Sequence, residues 1–338
     1  MSAAGRLCAI ACLLQAWLAP ALAAAPNTGF DLQRADITAF IADTAARNNL
    51  PAEDIRALLA DARRQSAILE AMQRPAEQVL PWWQYRSRFL DQARLTAGLQ
   101  FWQKHYDLLA RVEQERGVPA EYLVAILGVE TQWGRITGRY RVLDALTTLG
   151  FDYPARGAYF RKELEQLLLL AHETQRDARS LRGSYAGAMG APQFMPSSYR
   201  AYAVDQQAAG APDLWEDWGD ITASIANFLV VHGWQVGQPV MADTRIAHEA
   251  DDPFEFQLIL NDTLGAIKDR GYSVDTAADN ATAVVLVPAE QADSMQWRVG
   301  FKNFWVITRY NRSPRYAMAV HDLALALRAG MNERDTTP

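Results

Sequence analysis

Cysteine, histidine and long apolar runs are scarce in this chain of 338 residues. Both cysteines, Cys8 and Cys12, stand near its start, so the rest has no thiol nucleophile, disulfide or cysteine-bound metal. The five histidines show no metal-ligand spacing, and we expect neither a metal nor a cofactor. Beyond residue 25 no run of about 20 apolar residues would span a membrane. The net charge of −6, without a basic run, excludes a typical nucleic-acid-binding protein.

Residues 1–25 have the features of a secretory signal peptide. Arg6 supplies the positive start, residues 7–22 form a short apolar stretch, and residues 21–23 give a small-x-small cleavage site. We therefore expect an exported protein with no transmembrane segment after cleavage. A lipid-anchored form through Cys12 is less favoured, because the apolar stretch continues past this residue.

Most of the chain shows the periodicity of helices. Apolar residues recur every three or four positions over residues 95–116, and residues 120–131 are almost wholly apolar. Asp220 is predicted to cap a helix that reaches His232. The pattern changes near the C-terminal end, where a helical segment (264–270) lies among three predicted short strands: 254–260, 282–287 and 295–299. These features predict a mainly α (α+β) protein with a small β-containing insertion.

Glu130 is the strongest candidate for chemistry. It follows the apolar run 122–129, where partial desolvation raises the pKa of a carboxyl group. A carboxylic acid that is still protonated near neutral pH suits a general acid for glycosidic-bond cleavage. An exposed helix-end glutamate, or one paired with Arg135 or Arg139, explains the pattern equally well.

Residues 183–196 form a segment rich in glycine and alanine. Its glycines allow close approach of backbone to a ligand or another helix, while Ser184 and Gln193 offer hydrogen bonds to hydroxyl or acetamido groups. From these residues alone, a tight connection between packed helices is the favoured interpretation. Ser184 does not stand in a Gly-x-Ser-x-Gly turn, which argues against an acyl-transfer triad.

A second polar segment, residues 308–316, surrounds a predicted helix start. Tyr310, Asn311 and Tyr316 offer hydroxyl and amide groups to a substrate. Ser313 as the cap and Pro314 at the first helical position explain part of the pattern structurally, so the segment alone is a weak signal.

Together these segments resemble the family B peptidoglycan lytic transglycosylases, glycoside hydrolase family 103. The matching motifs follow one another in the family's order across nearly the whole chain: Gly-Val-Glu-Thr-Gln-Trp-Gly (128–134), Leu-Asp-Ala-Leu (143–146), 183–199 and 308–316. The resemblance implies a lysozyme-like helical core with an N-terminal helical domain and a small antiparallel β domain. The expected divisions are a signal peptide (1–25), an N-terminal helical region (26–117), a catalytic core (118–238), a β-containing insertion (239–300) and a return to the core with a C-terminal helix (301–338).

The resemblance also implies an activity. Members cleave the β-1,4 bond between N-acetylmuramic acid and N-acetylglucosamine and leave a 1,6-anhydromuramoyl end. Glu130 would be the single acid/base, and the expected substrate-binding residues are Ser184, Gln193, Tyr310, Asn311, Tyr316, Tyr85 and Arg156. The expected partners are peptidoglycan strands and other cell-wall enzymes, not nucleic acid, for a monomer in the periplasm.

Some members carry a calcium loop after the Met-Pro-Ser-Ser-Tyr motif. Here Asp205 remains, but Ala209 and Ala211 replace side chains that would supply oxygen ligands, so we expect no calcium.

Two alternative functions stay open from the sequence. A hydrolytic muramidase on the same fold needs a second carboxylate, for which Asp144, Asp152 and Asp205 are candidates. A non-catalytic peptidoglycan-binding protein would use the same cleft without chemistry.

Overall fold

A computed structural model of the chain describes residues 28–73, 80–208, 210–246 and 256–335. The expected signal peptide and both cysteines lie outside these ranges. The helices of the described part are α1 (Ala35–Asn48), α2 (Ala52–Asp61), α3 (Ser66–Gln73), α4 (Trp82–Ser87), α5 (Gln92–Lys104), α6 (Tyr106–Arg116), α7 (Ala120–Thr131), α8 (Val142–Asp152), α9 (Gly157–Thr174), α10 (Pro196–Tyr202), α11 (Trp218–Val231), α12 (Leu264–Asp269), α13 (Lys302–Tyr310) and α14 (Pro314–Asp335). The strands are β1 (Tyr140–Arg141), β2 (Arg182–Gly183), β3 (Met241–Ile246), β4 (Asp262–Thr263), β5 (Tyr272–Val274), β6 (Ala283–Glu290) and β7 (Met295–Gly300).

The segment 95–116 is two helices, not the single helix that its periodicity predicts. The backbone leaves helical geometry at His105 (φ −114°, ψ 24°), where α5 ends and α6 begins. The His105 ring packs against Phe101 and Trp218, with centroids 4.6 and 5.4 Å apart. Gly117 ends α6 in the left-handed conformation (φ 69°), as expected for a glycine at this position.

Helix α7 lies at the centre of the helical core, which accounts for its almost wholly apolar sequence. Its residues from Tyr122 to Gly128 are buried, and it packs against the long helix α14. The hydroxyl of Tyr122 lies 2.9 Å from Nδ1 of His321 on α14, while the opposite end of α7 contacts the start of α14. The two helices are therefore antiparallel, and the last turn of α7 faces the first turn of α14.

The cap of α11 is Asp217, so the prediction of Asp220 as the cap was wrong. The Asp217 carboxylate accepts hydrogen bonds from the backbone N–H groups of Gly219 and Asp220. Asp220 is buried one turn later and accepts from the N–H groups of Gln206 and Asp213 instead. Two acidic residues three positions apart made either assignment compatible with the sequence.

A five-stranded antiparallel sheet, in the order β4-β6-β7-β3-β5, forms the insertion. Strands β6 and β7 pair with Leu286 opposite Val299, and α12 contributes Leu264 and Ile267 to a separate small core. The predicted strands at 282–287 and 295–299 and the helix near 264–270 are confirmed. Strand β3, which the sequence did not predict, pairs with both β7 and β5.

The predicted strand 254–260 was wrong over its described part, residues 256–260. The Ile259 N–H donates to the Gln257 carbonyl at 2.9 Å, which closes a tight turn. Its alternating apolar residues, Phe256, Leu258 and Leu260, pack against the main core instead of pairing in the sheet. The expectation of a mostly helical protein with a small antiparallel sheet is confirmed.

Within the described ranges, we find no helix that is long and apolar enough to cross a membrane.

Candidate active site

Glu130 lies in the last turn of α7 and is partly buried. Its Oε1 accepts a hydrogen bond of 2.6 Å from the hydroxyl of Tyr316, in the first turn of α14. Burial raises the pKa of Glu130 to about 7, against the smaller lowering effect of the Tyr316 hydrogen bond. Among the described residues, neither Arg135 nor Arg139 forms an ion pair with it. The arrangement thus leaves a carboxyl group that can hold or release a proton near neutral pH.

The backbone that follows Glu130 takes an uncommon conformation. Gln132 (φ 51°) and Trp133 (φ 57°) are both left-handed without being glycine, a costly geometry that often marks functional sites. The Trp133 indole compensates by donating to the Val124 carbonyl at 2.9 Å. Its ring occupies the space beside Gly128, where a Cβ would lie 2.6 Å from the indole. Gly128, two residues before Glu130, is therefore required by the position of the Trp133 ring in the turn that follows α7.

Thr131 joins the end of α7 to the 183–196 segment. Its hydroxyl donates to the Ala191 carbonyl at 2.9 Å and accepts from the Gly134 N–H. We did not single out this buried threonine from the sequence, although its position directly after Glu130 was a usable signal.

The 183–196 segment is a tight connection. A Cβ on Gly183 would lie 2.1 Å from the Ala188 carbonyl, so only glycine permits this close approach. The Ser184 hydroxyl accepts from the Ala188 N–H at 3.1 Å. The interpretation of the glycines as a tight connection was therefore correct. The same close packing positions the polar side chains of the segment.

Gln193 has a left-handed backbone (φ 53°), and its side chain holds the segment in shape. Its amide nitrogen donates to the carbonyls of Thr137, at 3.0 Å, and Gly190, at 2.8 Å. This orientation uses the amide nitrogen for hydrogen bonds within the protein, and no described hydrogen bond uses the amide oxygen.

Tyr310, at the end of α13, connects the same segment to Tyr316. Its hydroxyl donates to the Pro192 carbonyl at 2.5 Å, and its ring stacks with that of Tyr316 at 6.4 Å and 10°. Burial raises the pKa of both tyrosines well above the ordinary value, so both hydroxyls stay protonated and act as donors.

The turn from α13 to α14 positions Tyr316 and exposes Asn311. The Ser313 hydroxyl accepts from the Tyr316 N–H at 3.3 Å, which agrees with its predicted role as the cap. Asn311 is exposed, and its carbonyl accepts from the Ser313 N–H.

Tyr85 and Arg156 have different relations to Glu130. The half-buried Tyr85, on α4, lies close enough that the charge of Glu130 contributes, after burial, to raising the Tyr85 pKa. Arg156 is exposed before α9, and its guanidinium stacks on the Tyr159 ring at 4.6 Å. No described contact joins Arg156 to the other predicted site residues.

The two candidate second carboxylates on α8, Asp144 and Asp152, form hydrogen bonds and ion pairs that hold the fold together. Asp144 is buried and accepts from the Arg63 N–H at 2.9 Å. Asp152 forms ion pairs of 2.8 Å with both Arg34 and Arg64. Each carboxylate is thus held by groups that connect α8 to the N-terminal helices.

The carboxylate of Asp205, the acid that remains at the start of the expected calcium loop, is bonded to the backbone of its own loop. The two oxygens of Asp205 accept from the N–H groups of Gln207 and Gly210, and Ala211 has no side-chain oxygen to offer. Ala209 lies outside the described residues. Among those described, we find no group of three or more His, Cys, Asp or Glu side chains placed to hold a metal ion.

Comparisons with known proteins agree with the family indicated by the motifs. The family described as "Transglycosylase SLT domain" matches residues 33–325. Membrane-bound lytic murein transglycosylase B of Escherichia coli is 38% identical over 299 residues, 85% of this chain and 81% of that protein. The crystal structure of catenated lytic transglycosylase SltB1 from Pseudomonas aeruginosa is 44% identical, with a TM-score of 0.83 over 88% of this chain and 98% of that one.

A third relative was solved with a ligand. SltB3 from Pseudomonas aeruginosa, in complex with NAG-anhNAM-pentapeptide, is 28% identical, with a TM-score of 0.75 over 86% of this chain and 78% of that one. These likenesses confirm the expected lysozyme-like helical architecture with a small sheet.

Proposed function

Since the chain belongs to the Transglycosylase SLT domain family and is a lytic transglycosylase, a lyase acting on peptidoglycan, we propose that Glu130 is its single catalytic acid and base. One observation carries this assignment. Burial raises the pKa of Glu130 to about 7, and its described hydrogen-bond partner is the neutral hydroxyl of Tyr316. A group with this pKa can donate and then accept a proton in a single turnover.

The bond cleaved is the β-1,4 linkage between N-acetylmuramic acid and N-acetylglucosamine. Protonated Glu130 gives its proton to the glycosidic oxygen as the C1–O bond of the muramic acid breaks. With no protein nucleophile, the N-acetyl oxygen of the substrate stabilises C1. The Glu130 carboxylate then takes the proton of the C6 hydroxyl as that oxygen bonds to C1. The product has a 1,6-anhydromuramoyl end, and Glu130 is protonated again.

The remaining site residues either position Glu130 or bind the sugar. Tyr316 holds the Glu130 carboxyl, and Tyr310 maintains the position of Tyr316 through its ring contact. The groups that contact the glycan in this proposal are those of Ser184, Gln193, Asn311, Tyr85 and Arg156.

Hydrolysis by a muramidase is the second candidate. It requires another carboxylate about 5–5.5 Å or about 6.5–9.5 Å from the acid, depending on the stereochemistry. The bonds of Asp144 and Asp152 to the N-terminal helices, and of Asp205 to its own loop, favour the transglycosylase over this alternative.

We also propose that the protein acts as a periplasmic monomer on glycan strands, after export by the signal peptide at 1–25. This location agrees with the substrate of the family.

Mass spectrometry of peptidoglycan digests tests the catalytic assignment. The wild type should release muropeptides with anhydro ends, one water lighter than reducing ends. Glu130→Gln should release none while it keeps the wild-type circular dichroism spectrum. Reducing ends would establish the muramidase instead. Binding of peptidoglycan without any product from the wild type would indicate the non-catalytic binding protein.

A further inference from the structure

We propose that a pocket beside the catalytic end of α7 binds a carboxylate of the peptide attached to the muramic acid. This inference rests on the proposed function, because it names the part of the peptidoglycan that a second site recognises. We call it the Arg94–Arg135 pocket, after the two residues that carry its positive charge.

The Arg94–Arg135 pocket lies between the start of α5 and the turn that follows α7. It has a volume of about 210 Å³, and its walls include Asp91, Arg94, Gln132, Trp133 and Arg135. The left-handed backbone at Gln132 and Trp133 reverses the chain here and places Arg135 opposite α5. The same strained turn that follows Glu130 therefore builds one wall of the pocket.

The pocket has an excess of positive charge. The side chain of Arg94 is only 16% exposed, and its Nε lies 3.9 Å from the Asp91 carboxylate. Arg135 is exposed and forms no ion pair with any residue that the structure describes. The pKa of Arg94 is lowered, first by burial and then by the nearby charge of Arg135, against the opposing effect of Asp91. Two guanidinium groups thus face one carboxylate, which leaves one positive charge for a ligand.

Described contacts connect this pocket to the catalytic residue. Arg94 Nη1 donates to the carbonyl of Gly128, two residues before Glu130, at 3.0 Å. The Arg94 guanidinium also lies over the Phe89 ring at 5.3 Å, and Phe89 packs against Tyr85 at 5.2 Å. The charge of Glu130 contributes to raising the pKa of Tyr85, so these contacts lead from Arg94 to a residue near the proposed acid.

The chemistry of the pocket favours a carboxylate. A guanidinium group presents several N–H donors in a planar fork that matches a carboxylate, and a guanidinium is weakly hydrated. The sugar rings of a glycan strand offer hydroxyl and acetamido groups, whereas the attached peptides carry carboxylates. A pocket next to the acid that cleaves at muramic acid is within the region where that peptide begins.

Binding measurements on inactive protein test the proposal. In the Glu130→Gln background, isothermal titration calorimetry compares tetrasaccharides of peptidoglycan with and without their peptides. Arg135→Gln should raise the Kd for the peptide-bearing ligand about tenfold and leave the Kd for the peptide-free ligand unchanged. Arg111→Gln, an exposed arginine on α6, is the matched control for the loss of one positive charge.

The possible results separate the pocket from the proposed function. Equal weakening of both ligands, or no change in either, would overturn the pocket assignment while peptidoglycan binding stands. A loss confined to the peptide-free ligand would assign the pocket to the lactyl carboxylate of muramic acid, which also overturns the proposal. If the parent protein bound neither ligand, the proposed function itself would fail.

Discussion

Glu130 and Asp152 are both acidic residues in the last turn of a helix, yet their surroundings differ in one respect. Asp152, at the end of α8, is paired with two arginines, Arg34 and Arg64. Glu130, at the end of α7, is bonded to the uncharged hydroxyl of Tyr316. The negative end of a helix disfavours both carboxylates. The structural acid is thus paired with positive charge, whereas the described partner of the proposed catalytic acid is a neutral hydroxyl.

The largest expected effect is the loss of unfolding free energy that the ionisation of partly buried Glu130 causes. Its pKa rises from the ordinary 4.5 to about 7 on folding, so the folded state binds this proton more tightly than the unfolded state. Wild-type stability should therefore fall as the pH rises from 4.5 through 7, by about 3 kcal/mol. Glu130→Gln removes this dependence. Urea unfolding at pH 4 and pH 8 should show the variant gaining about 3 kcal/mol over the wild type. A constant difference between the two proteins would contradict the raised pKa.

Tyr316→Phe makes the surroundings of Glu130 still less favourable to charge. The Tyr316 hydrogen bond lowers the pKa of Glu130, so its removal should raise that pKa further. We expect kcat to fall about tenfold and the alkaline limb of the pH–rate profile, near pH 7 in the wild type, to move to higher pH. Turnover assays of soluble glycan strands across pH 5–9 provide the measurement. An alkaline limb that stays in place would show that Tyr316 only binds substrate.

Asp152→Asn tests the structural side of the comparison. The arginine partners are 35% and 42% exposed, so solvent screens the pairs and the expected loss of unfolding free energy is about 1 kcal/mol. Because Asp152 takes no part in the proposed chemistry, kcat should stay within about twofold of the wild type. A loss of activity without a loss of stability would revive Asp152 as a second catalytic carboxylate.

The smallest effect is expected at the 205–213 loop. Its Asp205 carboxylate accepts hydrogen bonds from the backbone N–H groups of Gln207 and Gly210. Addition of millimolar calcium should change Tm by less than about 1 °C, because a ligand raises Tm only where the folded state binds it. A saturable increase of several degrees, reversed by a chelator, would mean that the loop rearranges to bind calcium.

The sequence by itself determined the helical character, the burial of α7 and the identity of Glu130 as the candidate acid. These properties follow from local spacing, since an apolar run that ends in a carboxylate is visible without knowledge of the fold. The glycines of residues 183–196 were equally visible, because close backbone approach restricts the residue type. The family motifs then related these separate segments to one activity.

Only the tertiary structure decided which groups surround that acid. Residues Glu130 and Tyr316 are 186 positions apart, and their contact depends on the antiparallel packing of α7 on α14. The packing of α8 against the N-terminal part of the chain likewise decided that Asp144 accepts from the Arg63 N–H and that Asp152 pairs with Arg34 and Arg64. The pKa of a carboxyl group depends on its burial and on the charges within a few ångströms, and these distances arise when remote segments pack together.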